Sequence, residues 1–302
     1  MRRLITIGIL LSALPVNSCA GQGSSQASRD DYLGQKPPGR TPELFGPGII
    51  STGENELNLA VVPDGSQIFF TVWNSGVNTL MTVRRENGEW LRREVAPFSG
   101  TYSDVDPYVT LDGNRLYYSS MRALDGAGPA KDSDIWYVER SEGGGWGDPV
   151  HLGSPNSPGK DDYYTSMTAD GALYFSLFET HEAGGDIYWS NPVDGVYDEP
   201  RLVPDPVSTE ASEHDPFVAP DGSYLIFSSN RPGGHGRGDL YIAFKSADGT
   251  WTEPRNMGET INSPGYEFCP MLSPDGKYLF FTRNVEGNGD IYWVDARVID
   301  DS

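Results

Sequence analysis

The sequence predicts an all-β fold, a five-bladed β-propeller built from four-stranded antiparallel blades. Three observations predict it. An Asp-Gly turn recurs at Asp64, Asp112, Asp170, Asp221 and Asp275, at spacings of 48, 58, 51 and 54 residues, which is the period of a propeller blade. Eight residues before each turn aspartate stands an acid: Glu56, Asp104, Asp162, Glu213 and Glu267. Residues 42–51 repeat the pattern of residues 254–263 at Pro, Gly, Ile and Ser, as an outer strand with no blade before it.

Taken in order, the chain opens with a targeting segment, residues 1–19. Arg2 and Arg3 form its charged start, and the apolar run from Leu4 to Pro15 is too short for a membrane span. Val16-Asn17-Ser18-Cys19 resembles a bacterial lipoprotein box, which implies lipidation of Cys19; the alternative is ordinary signal cleavage near Ala20. Residues 20–41, rich in Gly, Ser and Gln at their start, read as a flexible linker, and residues 42–302 as the propeller.

Trp251 to Trp293 is the fullest copy of the repeat. Ser273-Pro274-Asp275-Gly276 is a turn: Pro presets φ, Asp closes the turn through its side chain, and Gly accepts positive φ. Tyr278 to Phe281 is a continuous apolar run, as expected of a strand covered on both faces. Gly287 to Gly289 turns the chain again, and Ile291-Tyr292-Trp293 begins a third strand. An Asp opens that third strand at Asp134, Asp186, Asp239 and Asp290, with Asn78 in the first repeat. A turn, an aromatic residue and a proline then lead to the fourth strand, at Trp146/Pro149, Tyr197/Pro200 and Trp251/Pro254; the first repeat has Trp90 and Arg93. The last repeat ends near Ile299 with three strands. Residues 42–51 are expected to supply its fourth, closing the ring and removing a sheet edge. A sixth blade is the alternative, for which residues 20–41 are few and polar.

The chain carries 22 Lys plus Arg against 43 Asp plus Glu, a net charge of −21. Such a field repels nucleic-acid phosphates and anionic lipid, and favours cations or basic partners. Membrane contact is therefore expected only through a lipid anchor, and the protein is expected to be monomeric. The second cysteine, Cys269, has no partner for a disulfide if Cys19 is lipidated, and reads as an inert thiol in a packed strand.

Asn262-Ser263-Pro264, Glu267, Pro270, Pro274-Asp275-Gly276 and Leu279-Phe280-Phe281, with Ser229-Asn230-Arg231-Pro232-Gly233-Gly234 and Asp239-Leu240-Tyr241, resemble the WD40-like (PD40) repeats of TolB-type propellers. The resemblance covers about residues 42–298. It implies a cell-envelope binding propeller, with an envelope protein, peptide or glycan as partner, and identifies no ligand. The additional N-terminal domain of TolB proteins and the peptidoglycan-binding domain of many relatives have no counterpart in the repeat pattern.

The acids of the repeat are the first candidates for a site. If Glu56, Asp104, Asp162, Glu213 and Glu267 faced the channel, they would bind a hard cation such as Ca2+ or divide into acid and base. The alternative is scaffolding: each accepts backbone N–H groups or pairs with an arginine of its blade, Arg122, Arg231 or Arg283 in three repeats. Recurrence in every blade favours scaffolding, and no cofactor is expected. Departures between blades are the second set: Tyr163 and Tyr164, His214 and Asp215, the insertion Met121 to Ser133, His235, and Glu179 to Glu182. Asn284 to Asp295 carries part of a calcium-loop pattern but reads as a hairpin. No nucleophile elbow, phosphate loop or dinucleotide fingerprint is present. Two functions remain. One is a non-catalytic envelope binding or scaffolding propeller. The other is a glycosidase-like enzyme using Asp104, Asp162 and Glu213, with Tyr163, Tyr164 or Trp73 stacking a sugar.

Overall fold

The computed structural model describes residues 32–180 and 184–301. The targeting segment with Cys19, and His181 and Glu182, lie outside the described residues.

Five antiparallel sheets follow one another along the chain, each a four-stranded blade, the first with a short extra strand, Glu89–Trp90. Their innermost strands are Asn55–Val61, Asp104–Val109, Asp161–Met167, Glu213–Val218 and Tyr266–Leu272. The second strands are Gln67–Trp73, Arg115–Ser120, Leu173–Phe178, Tyr224–Ser229 and Tyr278–Val285. Each Asp-Gly turn joins the two. Its aspartate accepts the N–H two residues on, as Asp221 does from Ser223 at 3.0 Å. The second strands are buried almost end to end, which accounts for their continuous apolar runs.

The ring closes as the repeat arithmetic requires. Glu43–Leu44 pairs antiparallel with Asn288–Asp295, Glu43 opposite Trp293 and Leu44 opposite Tyr292. The next N–H, from Phe45, donates to the Ile291 carbonyl at 2.8 Å. Phe45 is fully buried, with its ring centroid 5.0 Å from Phe280 and 5.1 Å from Trp293. Part of the stretch expected to be a free linker also packs here. Tyr32 is buried against Tyr278, Phe280 and Trp293, and Gln35 bonds both the Leu44 carbonyl and the Gly46 N–H at 2.8 Å. Apolar docking of Tyr32 outweighs the polar composition around it.

Each innermost strand breaks register once, between Leu57 and Leu59, Val105 and Tyr108, Tyr163 and Ser166, His214 and Phe217, and Phe268 and Met271. At each break one residue has positive φ: Asn58, Asp106, Tyr164, Asp215 and Cys269. These are β-bulges, which re-aim a side chain out of the pleat. In three of them the second strand of a neighbouring blade supports the bulge with a buried hydroxyl. Thr282 accepts the Asn58 N–H at 3.0 Å, Thr71 that of Asp106 at 3.1 Å, and Ser176 that of Asp215 at 2.7 Å.

Because neighbouring strands run antiparallel, the start of each innermost strand shares one face of the disc with the loop between second and third strands. The Asp-Gly turns lie on the opposite face. The suspected calcium loop is a tight hairpin, Val285 opposite Asn288.

Candidate functional site

The five repeated acids have no solvent-exposed surface. Each turns back onto the loop that enters its own blade. Glu267 accepts the Ser263 N–H at 2.9 Å and its hydroxyl at 2.6 Å, and Arg283 at 2.8 Å. Glu213 holds the Thr209 N–H at 2.9 Å, the Ser229 hydroxyl at 2.8 Å and Arg231 at 3.1 Å. Asp104 takes the hydroxyls of Ser99 and Ser120 at 2.7 and 2.6 Å, with Arg122 at 3.6 Å. Each of these arginines also donates to a loop carbonyl at 2.7 Å, Phe98, Val207 or Ile261. The acid and arginine together thus fasten the loop that carries the chain from blade to blade.

The first blade reaches the same end differently. Glu56 is paired with Arg93, the residue standing where other repeats have proline, at 3.1 Å. Thr52, not Ser51, donates its N–H to Glu56 at 3.1 Å, because this loop has one residue more than the loop ending at Ser263.

Asp162 is the exception. It has no arginine partner among the described residues; Leu177 stands opposite it, as Val72 stands opposite Glu56, where Ser120, Ser229 and Arg283 oppose the other three acids. Asp162 accepts the Ser157 N–H at 2.7 Å, and its second oxygen has no partner, as is also true of one oxygen of Glu56. Burial, with the nearby charges of Asp134, Asp132 and Asp161 adding to it, pushes its carboxyl up to about 8. Those neighbours are engaged by Lys131, by His151 at 2.7 Å on Asp134, and by the Gly159 N–H at 2.8 Å on Asp132.

The side chains that do meet at the axis are those of the bulges. The sequence pattern picks out Tyr164 and Asp215 but gives no prominence to Asn58 or Asp106; the signal that finds them is the position two residues after each acid. The Asp106 carboxyl contacts the Asn58 side chain and the Tyr164 N–H. Burial, and then the charge of Asp215, hold it well above the usual carboxylate range. Asp215 accepts the Cys269 N–H at 3.2 Å and lies 3.4 Å from its sulfur. Tyr164 is fully buried and donates across the ring to the Pro270 carbonyl at 2.6 Å. It packs in one apolar cluster with Tyr108, Phe217, Cys269 and Met271, which come from four blades with it. The middle of the channel is therefore filled by a tyrosine plug beneath a polar layer.

Two expectations follow. Tyr164→Phe removes one buried hydrogen bond and should cost about 1 kcal/mol, whereas Tyr164→Ala should cost roughly 3–5 kcal/mol, measured by denaturant unfolding. The Cys269 thiol is pushed up by burial and by Asp215, so iodoacetamide at pH 8 should leave it unmodified until the protein unfolds. Rapid labelling of the native protein would contradict that placement.

Toward the strand-start face, the Tyr266 hydroxyl bonds His214 Nε2, and His214 Nδ1 lies 3.3 Å from Asp215. Phe268 stacks on Tyr266, and Phe178 lies tilted against His214 with Tyr163 edge-on behind it. Trp73, on the first blade, is 40% exposed. Among the described residues, no three or more His, Cys, Asp or Glu side chains gather as metal ligands.

No protein-family model and no curated protein matches this sequence. Solved structures do match. A putative TolB from Agrobacterium tumefaciens shares 18% identity over 81% of this chain and 78% of its own, with a TM-score of 0.53. TolB from Acinetobacter baumannii shares 15% identity over 82% of this chain, with a TM-score of 0.51, and this chain spans 53% of its length. An endo-arabinase from Bacteroides thetaiotaomicron shares 15% identity over 82% of this chain and 95% of its own, with a TM-score of 0.54. The class is therefore a five-bladed β-propeller. Its fold is TolB-like, and an enzyme of a different function shares the same architecture.

Proposed function

We propose that this chain is a non-catalytic binding propeller of the bacterial cell envelope, presenting a face to a protein, peptide or glycan. The observation that carries the reading is the state of its carboxylates. Glu56, Asp104, Glu213 and Glu267 are committed to fastening loops, and the channel in which a substrate would sit is plugged by Tyr164. Glycoside hydrolysis of the usual kind needs two carboxylates that reach the substrate. Asp104, Asp162 and Glu213 have no exposed surface to offer. The fold shared with TolB proteins supports the envelope assignment, as does the lipoprotein-like Cys19. On this reading Cys19 anchors the protein to the outer membrane, and Cys19→Ala releases it into the soluble periplasmic fraction.

A pull-down from solubilised envelopes, using protein with an intact ring, is expected to recover a specific partner. Recovery of nothing beyond background would count against the reading. The fold shared with an endo-arabinase motivates the opposing measurement. Turnover of any member of a glycan panel, abolished by Asp162→Asn or Glu213→Gln, would replace binding with catalysis.

A further inference from the structure

On the Asp-Gly turn face, below the tyrosine plug, the axis opens into a cavity of about 400 Å³. All five blades contribute to it, through Val61, Val109, Met167, Val218 and Leu272 at the ends of the innermost strands. Tyr108, Phe217 and Met271 form part of its wall, and they belong to the same apolar cluster as the plug. Leu111, 46% exposed, stands in its lining. A concave, predominantly apolar chamber of this size is what a buried anchor group requires.

The rim has the opposite character. It carries the five turn aspartates, and every one of them is held below the ordinary carboxylate range by hydrogen bonds of its own turn, against whatever burial raises it. All five are ionised at neutral pH. Asp64 is paired with Arg140 and Asp275 with Lys277, and Asp170 feels Lys245. Asp112 and Asp221 have no cationic partner among the described residues; they bond only the turn residues Thr110 and Asn114, and Ser223. Asp221 lines the cavity itself, and Asp112 lies beside Leu111 at its edge.

We infer that the turn face receives a basic peptide segment of a partner protein, an apolar side chain seated in the axial cavity and flanking Lys or Arg residues lying over Asp112 and Asp221. This rests on the binding reading and names its face and its ligand chemistry. Neither feature suffices alone. The apolar chamber supplies the desolvated anchor point on which affinity concentrates, and the unneutralised rim selects cationic flanks and speeds encounter. The net charge of −21 acts in the same direction over longer range.

The test uses the whole protein and a fluorescein-labelled peptide with two central leucines flanked on each side by two lysines. Two controls replace the leucines by alanine and the lysines by glutamate. Fluorescence anisotropy at 50 mM NaCl is expected to give saturable binding of the basic leucine peptide, weakened at least tenfold in each control. Raising salt to 500 mM should weaken it roughly tenfold, because exposed charge pairs are screened over that range. The double variant D112N/D221N keeps side chains able to close the turns and should also bind roughly tenfold more weakly. Leu111→Arg places a cation at the cavity mouth and should abolish binding while circular dichroism remains native. Equal affinity for the glutamate-flanked peptide, or full binding by both variants, overturns the assignment. If an envelope pull-down still recovers a specific partner with those two variants, the binding reading stands and only this face is excluded. If neither peptide nor partner binds the unmodified protein, both fail together.

Discussion

Replacing Phe45 by alanine is expected to lower the stability of the whole propeller by roughly 3–5 kcal/mol. Phe45 has no exposed surface and sits against Phe280 and Trp293, two of the largest fully buried side chains of the last blade. No neighbouring element can collapse into the space, since Tyr32 already covers it from outside and Trp293 is fixed by its strand. For a chain of this size the loss corresponds to roughly 5–10 °C in thermal midpoint. The effect should reach every blade, because Phe45 directly follows the strand that pairs the first residues of the ring with its last blade. Removing residues 32–46 altogether should do more, leaving Asn288–Asp295 as an open edge with unpaired N–H and carbonyl groups, prone to self-association. Thermal unfolding followed by circular dichroism, with sedimentation velocity for the truncation, reads both effects. The exposed Val193→Ala serves as reference and should change stability by less than about 0.5 kcal/mol. A midpoint for Phe45→Ala equal to that of the reference would mean that the ring does not depend on this closure.

The second large effect separates two acids that occupy one repeat position. Glu267→Gln is expected to destabilise by about 3 kcal/mol, the cost of breaking a buried, hydrogen-bonded ion pair and leaving Arg283 without its counter-charge. Asp162→Asn should instead be close to neutral near pH 4 and stabilising at pH 7, where folding of the parent has to take up a proton on Asp162. Its carboxyl, raised to about 8, is mostly protonated there, and asparagine can still accept the Ser157 N–H. The two variants should also differ in pH dependence. In the folded protein Asp162 keeps a proton that the unfolded chain releases near pH 4, so its contribution is fully present below that pH. It is lost as pH rises toward 8, at up to about 1.4 kcal/mol per pH unit, and the slope flattens above. Asparagine removes that slope, so the variant gains on the parent through this window. Urea unfolding at several pH values between 5 and 9 measures it. Equal destabilisation by both substitutions, or parallel pH profiles for Asp162→Asn and the parent, would show that the five acids are equivalent after all.

The architecture was legible because it is written in local chemistry. Pro-Asp-Gly turns require specific backbone angles, and the apolar runs that follow require cover on both faces, so blade count and strand order can be read one segment at a time. The closure could be read because the lone outer strand resembles the strand it replaces. The site was less legible. The acids were visible by recurrence, but whether each is satisfied depends on which residue stands opposite it across the sheet. Leu177 and Ser229 look alike in significance along the chain and leave Asp162 and Glu213 in opposite states. The packing of Tyr32 is illegible for a related reason: it is one aromatic in the polar stretch before residue 42, and its buried socket exists only in the folded ring.

By itself, then, the sequence determined the turns, the strands, the number of blades and the pairing of head with tail, all of which follow from short-range propensity and repetition. Only the tertiary structure decided what lies on the axis. Five bulges, each a single residue in positive φ, rotate Asn58, Asp106, Tyr164, Asp215 and Cys269 toward one another from positions some fifty residues apart, and the same convergence shapes the apolar chamber below them. Convergence of that kind is a property of ring closure, which no single repeat contains.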